Sequence, residues 1–128
     1  CSHLRYIDMS GNHQGGKIPT ELGFLSNLSI LNLTGNHLPE PIPLSIGNLS
    51  NLHRLSLVYN NLEGSIPTQL GQLYKLEVLQ LSINNLSGMF PTSLYNISSN
   101  CLFSISHNQL HGILPSNLGL TFPNLLGF

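Results

Sequence analysis

The sequence predicts a solenoid of the α/β class: a right-handed superhelix with short parallel strands on its concave face. The convex face is expected to carry 3-10, short helical or irregular return segments. Three observations carry this expectation. Steps of 24 residues from Asn12 reach Asn36, Asn60, Asn84 and Asn108, without a gap. The same step from Pro19 reaches Pro43, Pro67, Pro91 and Pro115. Ahead of each asparagine sit two alternating apolar columns, Ile7/Leu31/Leu55/Leu79/Phe103 and Met9/Leu33/Leu57/Leu81/Ile105. A fixed period of this length is the signature of stacked supersecondary units.

Each part of the unit has a physical reason. Alternation across three positions makes a short strand with two side chains on one face and the residue between them on the other. The asparagine turns the chain, since its amide hydrogen-bonds backbone groups and tolerates unusual dihedrals. In a stack the same amide reaches the neighbouring coil, so Asn12, Asn36, Asn60, Asn84 and Asn108 are expected to form a ladder inside the solenoid. Glycine in the column Gly16, Gly64, Gly88 and Gly112 permits the next bend. Proline then fixes φ and opens the return segment, which carries Leu22, Ile46, Leu70, Leu94 and Leu118. One such unit cannot bury its apolar face alone, so stability belongs to the array.

The departures are local. Glu40 stands in the glycine column between Pro39 and Pro41, so that turn should be rebuilt. Gln14 and Asn100 replace expected leucines, and Tyr95 replaces the glycine that follows Leu22, Ile46 and Leu70. Neither end shows the polar outer face of a capping repeat. Residues 1–128 therefore read as one solenoid segment of five repeats and the start of a sixth, continuous with neighbouring repeats of a longer array.

Composition narrows the function. The 128 residues are only 7% charged with a net charge of −1, which gives no electrostatic case for nucleic acid or an anionic membrane. No apolar run approaches the ~18 residues of a membrane span, so no membrane contact is expected within this segment. Gly11 to Lys17 imitates a phosphate-binding loop, but Ile18 stands where a magnesium-ligating hydroxyl belongs, Gly16 belongs to the repeat column of Gly64, Gly88 and Gly112, and Lys17 to a freely varying one. No catalytic constellation, metal site or cofactor is suggested. The pair His107 and His111 straddles the asparagine turn with no carboxylate or cysteine to complete a site. Cys1 and Cys101 lie four coils apart, nearly 20 Å at ~4.8 Å per strand, too far for a disulfide.

The unit L-x-x-L-x-L-x-x-N-x-L-x-G-x-I-P-x-x-L-G-x-L, seen in full over residues 61 to 88, resembles the plant-type leucine-rich repeat. The likeness covers the whole chain and extends to the ectodomains of plant receptor-like kinases. It implies a segment that binds a protein or peptide ligand, a co-receptor ectodomain, or both, in immune or developmental signal perception. It further implies a location on the extracellular side of the plasma membrane, in a single-pass parent with any kinase elsewhere. The same repeats also occur in kinase-less receptor-like proteins and in secreted inhibitors of cell-wall-degrading enzymes such as polygalacturonases, which would sit in the cell wall.

The exposed strand positions are the candidate binding surface. The larger side chains gather in repeats three to five: Val58, Tyr59, Ile83 and His107, with Arg54, Ser56, Glu77 and Gln80 beside them. Exposed aromatic and apolar groups next to charges are what binding patches look like. Arg54 and Glu77, in adjacent coils, are expected to pair on the surface. Five N-x-[ST] sequons at Asn27, Asn32, Asn48, Asn85 and Asn96 favour a secreted, glycosylated context. A glycan on Asn32 would screen the second repeat.

Overall fold

The structure is a computed structural model, and it describes residues 4–11, 15–89, 91, 93–94 and 102–111. Strands β1 (Tyr6–Asp8), β2 (Ile30–Asn32), β3 (Arg54–Ser56), β4 (Val78–Gln80) and β6 (Leu102–Ser104) form one parallel sheet in that spatial order. Every pairing is offset by one repeat, as in Leu31 against Leu55 and Leu55 against Leu79. The repeat length therefore sets the register of the sheet.

Among the described residues the chain returns between strands through the 3-10 segments η1 (Thr20–Phe24), η2 (Leu44–Asn48) and η3 (Thr68–Gln72). Each begins directly after the column proline, whose φ of −62 to −66° enters the turn in extended geometry. Each closes on the amide of Leu25, Leu49 or Leu73, which donates to the carbonyl three residues back. The 3-10 form suits so short a span.

The core is the sum of the inward columns. Leu28, Leu52 and Leu76, Leu31, Leu55 and Leu79, and Ile46 and Leu70 from the return segments are fully buried. In the first repeat the same columns are less covered, and Leu4 and Met9 remain exposed. Among the described residues no buried side-chain nitrogen or oxygen lacks a partner.

The asparagines meet that requirement. The Asn60 amide nitrogen donates to the carbonyl of Leu33 in the preceding coil at 2.9 Å and to that of Leu57 in its own coil at 3.0 Å. Its carbonyl oxygen accepts the Asn36 backbone N–H at 2.6 Å, and Asn84 does the same for Asn60 at 2.9 Å. Asn84 and Asn108 repeat the pattern, donating to Leu57 and Leu81 respectively. Asn12 lies outside the described residues.

A second parallel sheet, which the sequence did not suggest, pairs β5 (Ser87–Met89) with β7 (Gln109–His111), and a bridge joins Ser65 to Ser87. It starts at the third repeat for a simple reason. The second repeat offers Pro39, Glu40 and Pro41 at the matching positions, and two prolines remove two donors from any ladder. The Glu40 turn is rebuilt as expected: Gly16, Gly64 and Gly88 adopt φ of +93, +78 and +80°, whereas Glu40 stays out of the left-handed region.

Candidate binding face

The five-stranded sheet presents two outward-facing rows, exposed at Tyr6, Asp8 and Arg54 and half-buried elsewhere, because positions 6 and 8 of each repeat flank the inward position 7. One row runs Tyr6, Ile30, Arg54, Val78, Leu102, and the other Asp8, Asn32, Ser56, Gln80, Ser104. Together the middle strands enclose a shallow hollow of about 160 Å³, lined by both rows from β2 to β6. Arg54, Ser56 and Gln80 of these rows belong to the patch expected from sequence. Ile30, Val78 and Leu102 share their face by strand alternation and line the hollow with them.

Just beyond the second row runs a chain of hydroxyls. Thr34 Oγ1 lies 2.8 Å from Ser56 Oγ, Ser82 Oγ lies 2.5 Å from Ser104 Oγ, and Ser106 Oγ donates to Ser82 Oγ at 3.3 Å. Val58 interrupts the column of Ser10, Thr34, Ser82 and Ser106, and it is half-buried.

The next column is unusual in its backbone. Gly11, Gly35, Tyr59, Ile83 and His107 all have positive φ, at 70, 73, 60, 58 and 59°. Tyr59 and Ile83 are 60% and 45% exposed, so these side chains are not held there by burial. The neighbouring coil imposes the conformation: the amides of Gly11, Gly35, Tyr59 and Ile83 donate to the carbonyls of Thr34, Val58, Ser82 and Ser106 at 2.7 to 3.1 Å. His107 is exposed as well, with Nδ1 3.3 Å from Ser106 Oγ.

Charges on this face are few. Asp8 accepts hydrogen bonds from the Ser10 hydroxyl at 2.8 Å and the Ser10 amide at 3.1 Å, and these hold its carboxyl below the usual aspartate range. The Arg54–Glu77 pair expected from sequence does not form. Consecutive strand positions face opposite ways, so a residue at position 5 of one coil diverges from one at position 6 of the next. The Arg54 guanidinium is exposed and has no ion-pair partner among the described residues.

Of the sequons, Asn27, Asn48 and Asn85 are exposed, while Asn32 is half-buried in β2 and accepts the Thr34 amide at 3.1 Å. Asn96, Cys1 and Cys101 lie outside the described residues, as do Gln14, Tyr95 and Asn100. Among the described residues no group of three His, Cys, Asp or Glu side chains is placed to hold a metal. No described helix is long and apolar enough to cross a membrane.

Residues 1–99 match the family model described as leucine-rich repeat region. The chain belongs to the leucine-rich-repeat family. Within it, similar solved structures include ectodomains of plant receptor kinases. One is the ectodomain of GASSHO1/SCHENGEN3 from Arabidopsis thaliana in complex with CASPARIAN STRIP INTEGRITY FACTOR 2. The match has 39% identity and a TM-score of 0.88, covering 93% of this chain and 14% of that one. Another is the Arabidopsis receptor kinase HAESA in complex with the peptide hormone IDA and the co-receptor SERK1. There the identity is 36% and the TM-score 0.89, over 98% of this chain and 21% of that one. A plant ice-binding protein is also similar, with 35% identity and a TM-score of 0.85 over 91% of this chain and 38% of that one. The chain thus spans about a fifth or less of these two receptor ectodomains. No curated protein sequence matches it. The fold is that of a leucine-rich-repeat ectodomain module.

Proposed function

We propose that this chain is a protein- or peptide-binding segment of the extracellular part of a plant receptor-like kinase, and that it binds through the concave face of repeats three to five. The observation that carries the reading is the cluster of exposed Tyr59, Ile83 and His107 beside Arg54, Ser56, Val58 and Gln80, on one side of a rigid sheet. Glu77, exposed one residue ahead of β4, is proposed with them. Peptide hormones and co-receptor ectodomains accompany the similar structures, and they are the proposed partner classes. Immune or developmental perception is the proposed role, with the kinase elsewhere in a single-pass parent.

A secreted polygalacturonase inhibitor is the second reading, supported by the repeat class alone. Ice binding is disfavoured, since the exposed rows mix Asp, Asn, Ser and Gln with Tyr, Ile and Arg and offer no flat regular array. Glycans are proposed on Asn27, Asn48 and Asn85, and on Asn96. The Asn32 sequon remains a candidate whose glycan would stand on the concave strand beside Asp8.

Alanine substitution of Tyr59, Ile83 and His107 tests the reading. Binding to a panel of secreted plant peptides and co-receptor ectodomains should weaken by about 2 kcal/mol at one or more of these positions. Unchanged affinity at all three would remove this face from consideration.

A further inference from the structure

The return turn of the first repeat holds an aromatic side chain that packing does not explain. Phe24 closes η1 and is 84% exposed, the most exposed large apolar residue among the described ones. The same position holds Asn48 in the second repeat and Gln72 in the third, as a solvent-facing position should. A single exposed apolar residue needs no explanation by itself. Its place ahead of a sequon is the second observation. Three residues before Asn32, Asn48, Asn85 and Asn96 stand Ser29, Ser45, Ser82 and Ser93. Three residues before Asn27 stands Phe24.

The backbone brings ring and asparagine together. Leu25 has φ −86° and ψ 71°, an inverse γ-turn closed by the Ser26 amide, which donates to the Phe24 carbonyl at 3.0 Å. The Leu28 amide then donates to the Leu25 carbonyl at 2.9 Å, a second turn that holds its end Cα atoms within about 7 Å. Leu25 packs against the core and Leu28 is fully buried, so this turn is pinned inward at both ends while Phe24 and Asn27 stay exposed. From the next coil, Asn51 Nδ2 donates to the Ser26 carbonyl at 2.9 Å and fixes the tip.

Resting on the reading above that Asn27 is glycosylated, we propose that the first N-acetylglucosamine of its glycan lies with its apolar face on the Phe24 ring. In the attachment, the glycosyl–oxygen bond of a lipid diphosphate-linked oligosaccharide breaks and a glycosyl–nitrogen bond to Asn27 Nδ2 forms. Nδ2 gives up one proton, and the lipid diphosphate leaves. The axial ring C–H bonds of the β-linked sugar project to one face, which is apolar and slightly electropositive. Such a face suits the electron-rich face of an aromatic ring. The contact takes the Phe24 ring out of water and adds an apolar brace across the turn from η1 to β2. Asn27 precedes β2 by three residues and belongs to neither strand row, so its glycan leaves the concave rows open, unlike one on Asn32.

The test secretes the full chain from a plant cell line as wild type, Phe24→Ala, Asn27→Gln and the double variant. Glycopeptide mass spectrometry reads occupancy at Asn27, and melting is compared on the occupied glycoforms. The wild type should melt about 3 °C above Asn27→Gln, and trimming the glycan to its first sugar should preserve the difference. In the Phe24→Ala background the difference should fall below about 1 °C, because the two substitutions remove one contact. The C–H resonances of the first sugar should stand upfield in the wild type under the ring current, and return to ordinary positions in Phe24→Ala. An unoccupied Asn27 would overturn the glycosylation reading and the inference with it. An occupied Asn27 with unshifted sugar resonances, or with the same melting difference in both backgrounds, would overturn the inference alone.

Discussion

Two glycine columns of this solenoid look alike in sequence and exist for opposite reasons. In the return segments Gly23, Gly47 and Gly71 have no positive φ, but there is no room beside them. A Cβ on Gly47 would lie 2.5 Å from the Gln69 carbonyl oxygen and 2.8 Å from the Gln69 Cβ. On the concave rim Gly11 and Gly35 have room, but their φ is 70 and 73°. A Cβ on Gly35 comes no nearer than 3.6 Å to anything, the backbone nitrogen of Gly11. The first column is held by volume and the second by conformation. Volume cannot be negotiated by the repeat that follows, whereas conformational strain is tolerable where something is gained. Accordingly the rim column admits Tyr59, Ile83 and His107. In the return column the described residues are all glycine, and its fourth member, Tyr95, lies outside them.

The contrast is open to direct attack. The largest effect should come from Gly47→Ala, which forces two return segments apart and should cost about 3 kcal/mol in denaturant unfolding. An effect below ~0.5 kcal/mol would mean the convex face is loosely packed and the distinction false. Gly35→Ala should cost less, about 1 kcal/mol, since only the backbone conformation resists it. Ile83→Gly should reverse the sign and stabilise by about 0.5 kcal/mol, the relieved strain being partly offset by the greater freedom of glycine in the unfolded chain. Destabilisation there by more than ~1 kcal/mol would show that the Ile83 side chain is a packing residue and not a contact.

The smallest effect concerns Asp8. Its folded-state carboxyl titrates below the unfolded one, so its contribution to stability is present above the ordinary aspartate pKa and lost as pH falls through the depressed folded value. Ser10→Ala removes the leading cause of the shift, and the Asp8 carboxyl should then titrate closer to its ordinary range by NMR.

How much of this was legible beforehand follows the same division. The period of 24 wrote out the sheet, its register and the return segments, because each column places one residue type at one recurring position. The inward leucines and the proline starts needed nothing more. The left-handed rim was not legible, because tyrosine, isoleucine and histidine argue locally against positive φ. The cause is the neighbouring coil's carbonyl, as at Ile83 N–H to Ser106. The second sheet was hidden for a related reason. Ser87–Met89 and Gln109–His111 show no alternation, and they pair with an offset of 22 and not 24 residues. The Arg54–Glu77 pair was expected from sequence proximity in the stack, and strand alternation sends the two side chains apart.

All of this depends on one coil dictating the backbone of the next, and the asparagine column is where that control is exercised. Asn84→Ala deletes the single oxygen that accepts both the Asn60 amide at 2.9 Å and the Leu62 amide at 3.0 Å. Native-state hydrogen exchange on this variant reads the consequence site by site. Protection of Asn60 and Leu62 should fall by about 10- to 100-fold, the loss of a buried bond of ~1–3 kcal/mol, while the Leu33 amide, bonded to Ser56, keeps its protection relative to global unfolding. Undiminished protection at Asn60 and Leu62 would mean that each coil sets its own shape, and would contradict control by the neighbouring coil.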